Sequence, residues 1–156
     1  MKQVRFDVKP RCQREWGWML ATWLFLSGTA ATLFLYHAAF GLPLVFAQLS
    51  LGLMLMGGVV LLLEQGNPAR AWRAAARVKT SWLSRGVLFV SCFIVSSVLY
   101  LVPIEMMDRD VLASIVSVCA LSVVLYPGFF LAKNRSIPFW NTPLLPAVLV
   151  VNAALA

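Results

Sequence analysis

Four long apolar runs, separated by short polar segments, dominate the pattern of this chain. They cover residues 16–40, 44–63, 87–104 and 111–132, and only three residues separate the first run from the second. A helix needs roughly 20 apolar residues to cross the hydrocarbon core of a bilayer. The pattern therefore predicts an all-α integral membrane helical bundle with four full transmembrane helices, of which the first two form an antiparallel hairpin.

The segments outside this bundle predict how the rest of the chain is divided. Residues 1–15 form a polar basic tail, 16–132 the four-helix transmembrane bundle, 133–141 a basic loop, and 142–156 a further apolar run. The first apolar run is longer than that of a signal peptide, so we expect it to be retained as a helix. The last run has about 15 residues, too few for a span, and is expected to be the start of a fifth transmembrane helix in a truncated chain.

Small residues in the first two runs predict close helix packing. Side chains of this kind let a neighbouring backbone approach closely, and in the first run they recur about one turn apart: Gly17, Ala21, Ser27, Gly28, Ala31 and Thr32. The second run has three glycines with the same expected role: Gly52, Gly57 and Gly58. At the start of the first run, three tryptophans are expected to form an aromatic belt at the membrane interface: Trp16, Trp18 and Trp23.

The composition agrees with a membrane protein and argues against a nucleic-acid-binding domain. Hydrophobic residues make up 61% of the chain and charged residues 12%. The net charge is +7, but the basic residues lie almost wholly between the apolar runs, where membrane orientation explains them. Cys12, Cys92 and Cys119 have no paired spacing, so neither a disulfide nor a metal site is expected from them.

The basic residues also predict the orientation. Twelve of the thirteen Lys and Arg residues lie in the tail and in segments 64–86 and 133–141, which a four-helix bundle brings to one side, and Arg109 lies on the other. The positive-inside rule therefore predicts that the N-terminus and both basic loops are cytoplasmic. We expect a multi-pass protein of the cell inner membrane.

The segment after the second run combines a carboxylate with a helix start. Glu64 directly follows the end of the run, and Gly66, Asn67 and Pro68 come next as a turn, with Asn67 suited to cap a helix and Pro68 to begin it. A carboxylate beside an arginine at the end of a bundle cavity can exchange protons and hold a polar headgroup such as a quinone oxygen. The alternative interpretation of Glu64 and Arg70 is a salt bridge that fixes the turn.

The helix predicted to begin at Pro68 is basic on one face. Arg70, Arg73 and Arg77 recur at helical spacing, so this short helix is expected to lie in the interface with its basic side to water.

Tyr126, Pro127 and Gly128 interrupt the fourth apolar run. Proline cannot donate to the carbonyl of Val123, so the helix is expected to kink or loosen there. Tyr126 then lies at the same membrane face as Glu64, either as a hydrogen-bond donor in a pocket or as an interfacial belt tyrosine. His37 lies at the opposite face, where a helix-end histidine is a simpler interpretation than a ligand.

Four segments, the first of them in two parts, resemble one known family. The runs EQGNPARAW (64–72) and TSWLSRG (80–86), the sequence FLSGTAA (25–31), the triplet YPG (126–128) and the run PFWNTPLLP (138–146) occur in the order of the motifs of the polysulfide reductase NrfD family. That family includes the membrane anchor subunits of DMSO reductases. Gln65 stands where relatives usually have Leu, and Pro127 where they have Thr.

The resemblance implies a haem-free and metal-free membrane subunit that anchors a molybdopterin catalytic subunit and an iron–sulfur subunit. It also implies electron exchange with the quinone pool, with menaquinone or ubiquinone as an exchangeable substrate. Glu64, Arg70 and Tyr126 are then the residues expected for quinone binding and proton exchange. Partner docking is expected at the basic residues of the same membrane face: Arg73, Arg77 and Arg85.

Two other functions fit the apolar pattern. One is a small four-helix membrane transporter in which Glu64 is the coupling carboxylate, although such a group is expected in mid-membrane rather than at a helix end. The other is a purely structural membrane anchor without quinone chemistry. Glu64→Gln and Tyr126→Phe distinguish these from the quinone hypothesis, because they remove the acid and the phenol with little change in shape.

Overall fold

The computed structural model describes residues 17–64, 82–103 and 107–132, together with four helical positions near the C-terminus: Leu144, Ala147, Val148 and Val151. Within these ranges the chain forms four long helices: α1 (Trp18–Phe40), α2 (Leu44–Glu64), α3 (Trp82–Leu101) and α4 (Arg109–Ala132). Each is long and apolar enough to cross a membrane. The predicted helical membrane bundle is confirmed.

A tight turn joins α1 to α2. Gly41 adopts a left-handed conformation with φ of 64°, which ends α1 because glycine reaches this region without steric cost. The N–H of Gly41 and that of Leu42 both donate to the carbonyl of His37, the latter at 3.2 Å. Pro43 precedes the first residue of α2. The predicted antiparallel hairpin is therefore present, with its turn at residues 41–43.

The third helix begins earlier than the apolar pattern predicts. It covers Trp82–Leu101 rather than 87–104, so Arg85 and Gly86 belong to the helix and not to the preceding loop. A single arginine near a helix end does not stop the helix, since its long side chain can reach the interface while the backbone stays helical. The apolar run thus marks the lipid-facing part of α3 and not its start.

The fourth helix is capped at its start and contains a proline near its end. Asp108 accepts a hydrogen bond from the N–H of Asp110 at 3.0 Å, as an N-cap aspartate does. Helix α4 then continues through Pro127 to Ala132. The nitrogen of Pro127 cannot donate a hydrogen bond to the preceding turn. The helix nevertheless continues for about one more turn, to Ala132.

The four helices pack so that α1 lies between α2 and α4, while α3 packs mainly against α4 and also against α2. The buried interior lies along the centre of this bundle and includes large side chains from all four helices: Phe34, Met54, Phe93 and Val116. Large apolar side chains on the outer faces are exposed, as suits helices surrounded by lipid.

The predicted packing residues of α1 and α2 divide into two groups. Ser27, Ala31 and Thr32 are buried, whereas Ala21 is exposed. Among the glycines of α2, a Cβ at Gly57 would lie 3.1 Å from Cε3 of Trp23, so the two helices approach closely there. The expected close contacts at Gly52 and Gly58 are wrong within the described residues, because a Cβ at either would have nothing within 4 Å.

The expected tryptophan belt is wrong for Trp23. Its side chain is 8% exposed and belongs to the bundle interior, whereas Trp18 is 71% exposed. Trp23 lies opposite Gly57, where the missing side chain leaves room for an indole ring between α1 and α2. Trp16 lies outside the described residues.

Candidate functional site at the Tyr126 end

One end of the bundle contains the start of α1, the end of α2, the start of α3 and the end of α4. This follows from the antiparallel order of consecutive helices. Glu64 is the last residue of α2 and Tyr126 lies near the end of α4, so both predicted residues belong to this end. We call it the Tyr126 end, and the opposite end, with His37, the His37 end.

Tyr126 packs between α3 and α4 among aromatic rings. Its ring centroid lies 6.2 Å from that of Phe89, in an edge-on arrangement. It lies 5.7 Å from the centroid of Phe130, and the planes of Tyr126 and Phe130 are only 29° apart. Gly86 closes a third side: a Cβ built there would overlap the Cζ and Cε1 atoms of Tyr126. The ring is therefore held at a defined place and angle. We call these four residues the Tyr126 cluster.

The hydroxyl of Tyr126 differs from the ring in that no described hydrogen bond holds it. The ring is partly buried, and within the described part of the chain the hydroxyl forms no hydrogen bond. A phenol of this kind can donate a hydrogen bond to a carbonyl oxygen or accept one from a hydroxyl. The position of the cluster at one end of the bundle puts this group near one surface of the membrane.

The structure describes only some of the other predicted site residues. Glu64 is the last residue of α2, and its side chain lies outside the described part of the structure. Arg85 is partly buried in the first turn of α3 rather than in a loop. The remaining predictions fall outside the described residues: Gly66, Asn67, Pro68, Arg70, Arg73 and Arg77.

His37 is engaged at the other end. Its side chain is 7% exposed, with Nδ1 2.6 Å from the carbonyl oxygen of Leu42 and Nε2 2.9 Å from the hydroxyl of Tyr100. With Nδ1 protonated, His37 donates to the carbonyl, and Tyr100 donates to Nε2. Phe34 packs edge-on against both rings, with centroids 5.7 and 5.4 Å away. We call His37, Tyr100, Phe34 and Leu42 the His37 cluster; it joins α1, the turn and α3.

An open groove of about 580 Å³ lies between α1 and α4 near the His37 end. Small and apolar side chains line it with two serines and one carboxylate: Leu35, Ala38, Ala39, Asp110, Ala113, Ser114 and Ser117. Ser114 and Ser117 donate to carbonyls one turn earlier in α4, so their hydroxyls are already bonded within the helix. Because these residues lie at the His37 end, the groove is at the opposite end of the bundle from Tyr126.

Reasoning from the sequence missed the surroundings of Tyr126. The apolar pattern places Gly86 at the end of a loop, and Phe89 and Phe130 within apolar runs with no assigned role. Two signals were available: Phe130 follows Tyr126 by four residues, which brings side chains together on one helix face, and a glycine inside a helix often has a packing reason. The contact between Gly86 and Tyr126 joins two helices, so neither signal alone could have found it.

The family comparison agrees with this bundle. The sequence model of the family described as "Polysulphide reductase, NrfD" matches residues 9–156. No curated protein and no solved structure matches the chain. The family match covers nearly the whole sequence, including the four helices and the Tyr126 cluster. The chain therefore belongs to the NrfD polysulphide reductase family and is a membrane subunit of a quinone-linked oxidoreductase complex.

Proposed function

We propose that this chain is the membrane anchor and quinone-interacting subunit of a molybdopterin iron–sulfur oxidoreductase, and that it relays electrons between the quinone pool and an iron–sulfur subunit. The observation that carries the proposal is the family match over residues 9–156. The Tyr126 cluster adds a site for the quinone, because its phenol lies at the bundle end where α2 closes with Glu64.

The quinone headgroup binds at the Tyr126 end. Tyr126 donates a hydrogen bond to one headgroup oxygen, and the arginine of the following segment, Arg70, interacts with the other. Packing between Phe89 and Phe130 supports this assignment, because a phenol held at a fixed angle loses little further freedom when it binds a ligand. Menaquinone and ubiquinone both carry the two oxygens that this arrangement requires.

Proton exchange accompanies the electron transfer. Oxidation of one quinol releases two electrons and two protons; a cluster in the docked iron–sulfur subunit would take the electrons, and Glu64 accepts the two protons one after the other and passes each to water. Quinone reduction uses the same groups in reverse, with Glu64 as the proton donor. A carboxylate at a helix end suits this role, since it lies between the lipid-facing part of the bundle and the aqueous side.

The basic residues of this face bind the partner subunit. Arg73, Arg77 and Arg85 lie in the segment between α2 and α3 or in the first turn of α3. Positive charge on a docking face attracts a partner with complementary negative charge and orients it. The charge distribution along the sequence supports a cytoplasmic position for this face, in the cell inner membrane.

Sequence features argue against a transporter. The four apolar runs contain no Asp or Glu between their ends, whereas a coupling carboxylate is expected within the membrane. A purely structural anchor is harder to distinguish from the proposed function than a transporter is, because it needs the same helices and partners. It differs from the proposal in one respect: it does not require Glu64 or Tyr126 for turnover.

The test is affinity purification of the chain from native membranes in mild detergent, followed by mass spectrometry and iron and molybdenum assays. The proposal predicts companions with iron–sulfur and molybdopterin signatures and quinol-linked turnover in the purified complex. A chain that purifies alone and metal-free, in conditions that keep other respiratory complexes intact, contradicts it.

A further inference from the structure

Gly86 is a buried glycine within a helix. It lies in the second turn of α3, and its φ is not positive, since among the described residues only Gly41 has a positive φ. Glycine is a poor helix former compared with alanine. Neither a turn nor a left-handed conformation explains its presence here, so the reason must lie in packing.

The Tyr126 ring supplies that reason. A Cβ at Gly86 would overlap the ring at Cζ and Cε1 and would lie 2.5 Å from the hydroxyl oxygen. These atoms form the hydroxyl end of the side chain, so the phenol group itself rests against the backbone of α3. By contrast, a Cβ at Gly28, Gly52 or Gly58 would have nothing within 4 Å among the residues that the structure describes.

Two further rings prevent Tyr126 from moving aside. Phe89 lies three residues after Gly86 on α3, and Phe130 lies four residues after Tyr126 on α4, so each is on the helix face that presents the contact. A ring with neighbours on both sides cannot accept an added methyl group at Gly86 without changing its own place or separating the two helices.

We propose that Gly86 is a positioning residue for the quinone site: the absence of a side chain there sets where the Tyr126 hydroxyl meets the quinone oxygen. The inference rests on the proposed quinone function, but the packing part can be tested without it. Any side chain at this position displaces the phenol by a distance comparable to a carbon–carbon bond, which is enough to weaken a hydrogen bond to the ligand.

The experiment uses the purified complex and combines Gly86→Ala with Tyr126→Ala in a double-mutant cycle. Gly86→Ala is expected to lower the melting temperature by about 3 °C or more. In the Tyr126→Ala background the same change is expected to leave the melting temperature unchanged or to raise it, because the added methyl group fills space that the ring has vacated. If Gly86→Ala alone prevents assembly, the double variant should restore it.

A second measurement tests the positioning role. Gly86→Ala is expected to raise the KM for quinol by about tenfold, and the half-inhibitory concentration of a quinol-analogue inhibitor by a similar factor, with kcat changed much less. Gly58→Ala is the matched control, since it adds the same methyl group into open space and should change neither quantity. Phe130→Leu, which loosens the ring without adding bulk, should also raise the KM.

The outcomes separate the two proposals. Equal effects of Gly86→Ala in both backgrounds overturn the packing assignment. Coupling to Tyr126 without a change in KM overturns the positioning role and leaves the packing intact. Absence of quinol-linked turnover in the unmodified complex contradicts the proposed quinone function instead. Full quinol turnover in Tyr126→Phe contradicts the assignment of the quinone site to the Tyr126 end, whatever Gly86→Ala does to the melting temperature.

Discussion

The two ends of the bundle each contain a tyrosine packed against aromatic rings, yet the two hydroxyl groups are used differently. At the His37 end, the Tyr100 hydroxyl forms a hydrogen bond with the imidazole of His37. The other ring nitrogen of His37 forms a hydrogen bond with the carbonyl of Leu42. At the Tyr126 end, the described contacts of the tyrosine are with Phe89, Phe130 and the backbone position of Gly86.

The difference separates a structural contact from a candidate binding site. Within a membrane, a polar group is costly unless it has a partner, and the His37 cluster satisfies its groups internally. That arrangement ties α1, the turn and α3 together and leaves no free nitrogen on His37 for a ligand. At the Tyr126 end, packing fixes the ring while the hydroxyl can still bond to a molecule that enters from the membrane.

The largest expected effect is at the Tyr126 end. Glu64→Gln removes the proposed proton acceptor with little change in size, and we expect quinol turnover to fall by about two orders of magnitude. Steady-state turnover of the purified complex measures this. Asp110→Asn is the control, since this exposed carboxylate lies at the His37 end. Equal losses in both variants would show that removal of a negative charge at either end lowers turnover, and would contradict a specific role of Glu64.

The next effect is structural and belongs to the His37 end. His37→Ala removes a buried ring and both of its hydrogen bonds, so we expect the free energy of unfolding to fall by about 2–3 kcal/mol. Thermal melting of the purified complex measures the loss. The KM for quinol should stay constant in the fraction that remains assembled. An unchanged melting temperature would contradict the structural role of this cluster.

A smaller effect is expected between the two clusters, where α1 meets α2. The Ser50 hydroxyl donates to the carbonyl of Ala30 at 2.6 Å, and both residues are buried. Ser50→Ala removes this bond, and polar contacts between membrane helices contribute on average about 0.6 kcal/mol. The melting temperature should fall slightly. Ser122→Ala is the control, since Ser122 bonds to Val118 within its own helix.

The sequence was sufficient for the helices and for the hairpin. Length and apolarity alone select helices in a bilayer, because every backbone polar group must be bonded internally, and Gly41 with Pro43 marks a turn by local chemistry. The start of α3 was predicted five residues too late for the same reason: apolarity reports contact with lipid, whereas the helix continues into the interface to Trp82.

The contacts between helices could not be predicted in the same way. Trp23 at Gly57, His37 with Tyr100 and Gly86 with Tyr126 all join residues that are far apart in sequence. Which residues meet depends on how each helix is rotated about its axis, and helices that are apolar on all sides give little periodic signal for that rotation. Tyr126 was therefore predicted as a site residue, but its neighbours were not.

The most direct test of the account is the same substitution at both ends of the bundle. Quinol turnover and melting temperature are measured side by side for Tyr126→Phe and Tyr100→Phe in the purified complex. Removal of the Tyr126 hydroxyl should lower kcat/KM for quinol by about tenfold with an unchanged melting temperature. Removal of the Tyr100 hydroxyl should lower the stability by about 1 kcal/mol and leave turnover intact. Full quinol turnover in Tyr126→Phe, or an equal loss in both variants, would contradict the assignment of the quinone site to the Tyr126 end.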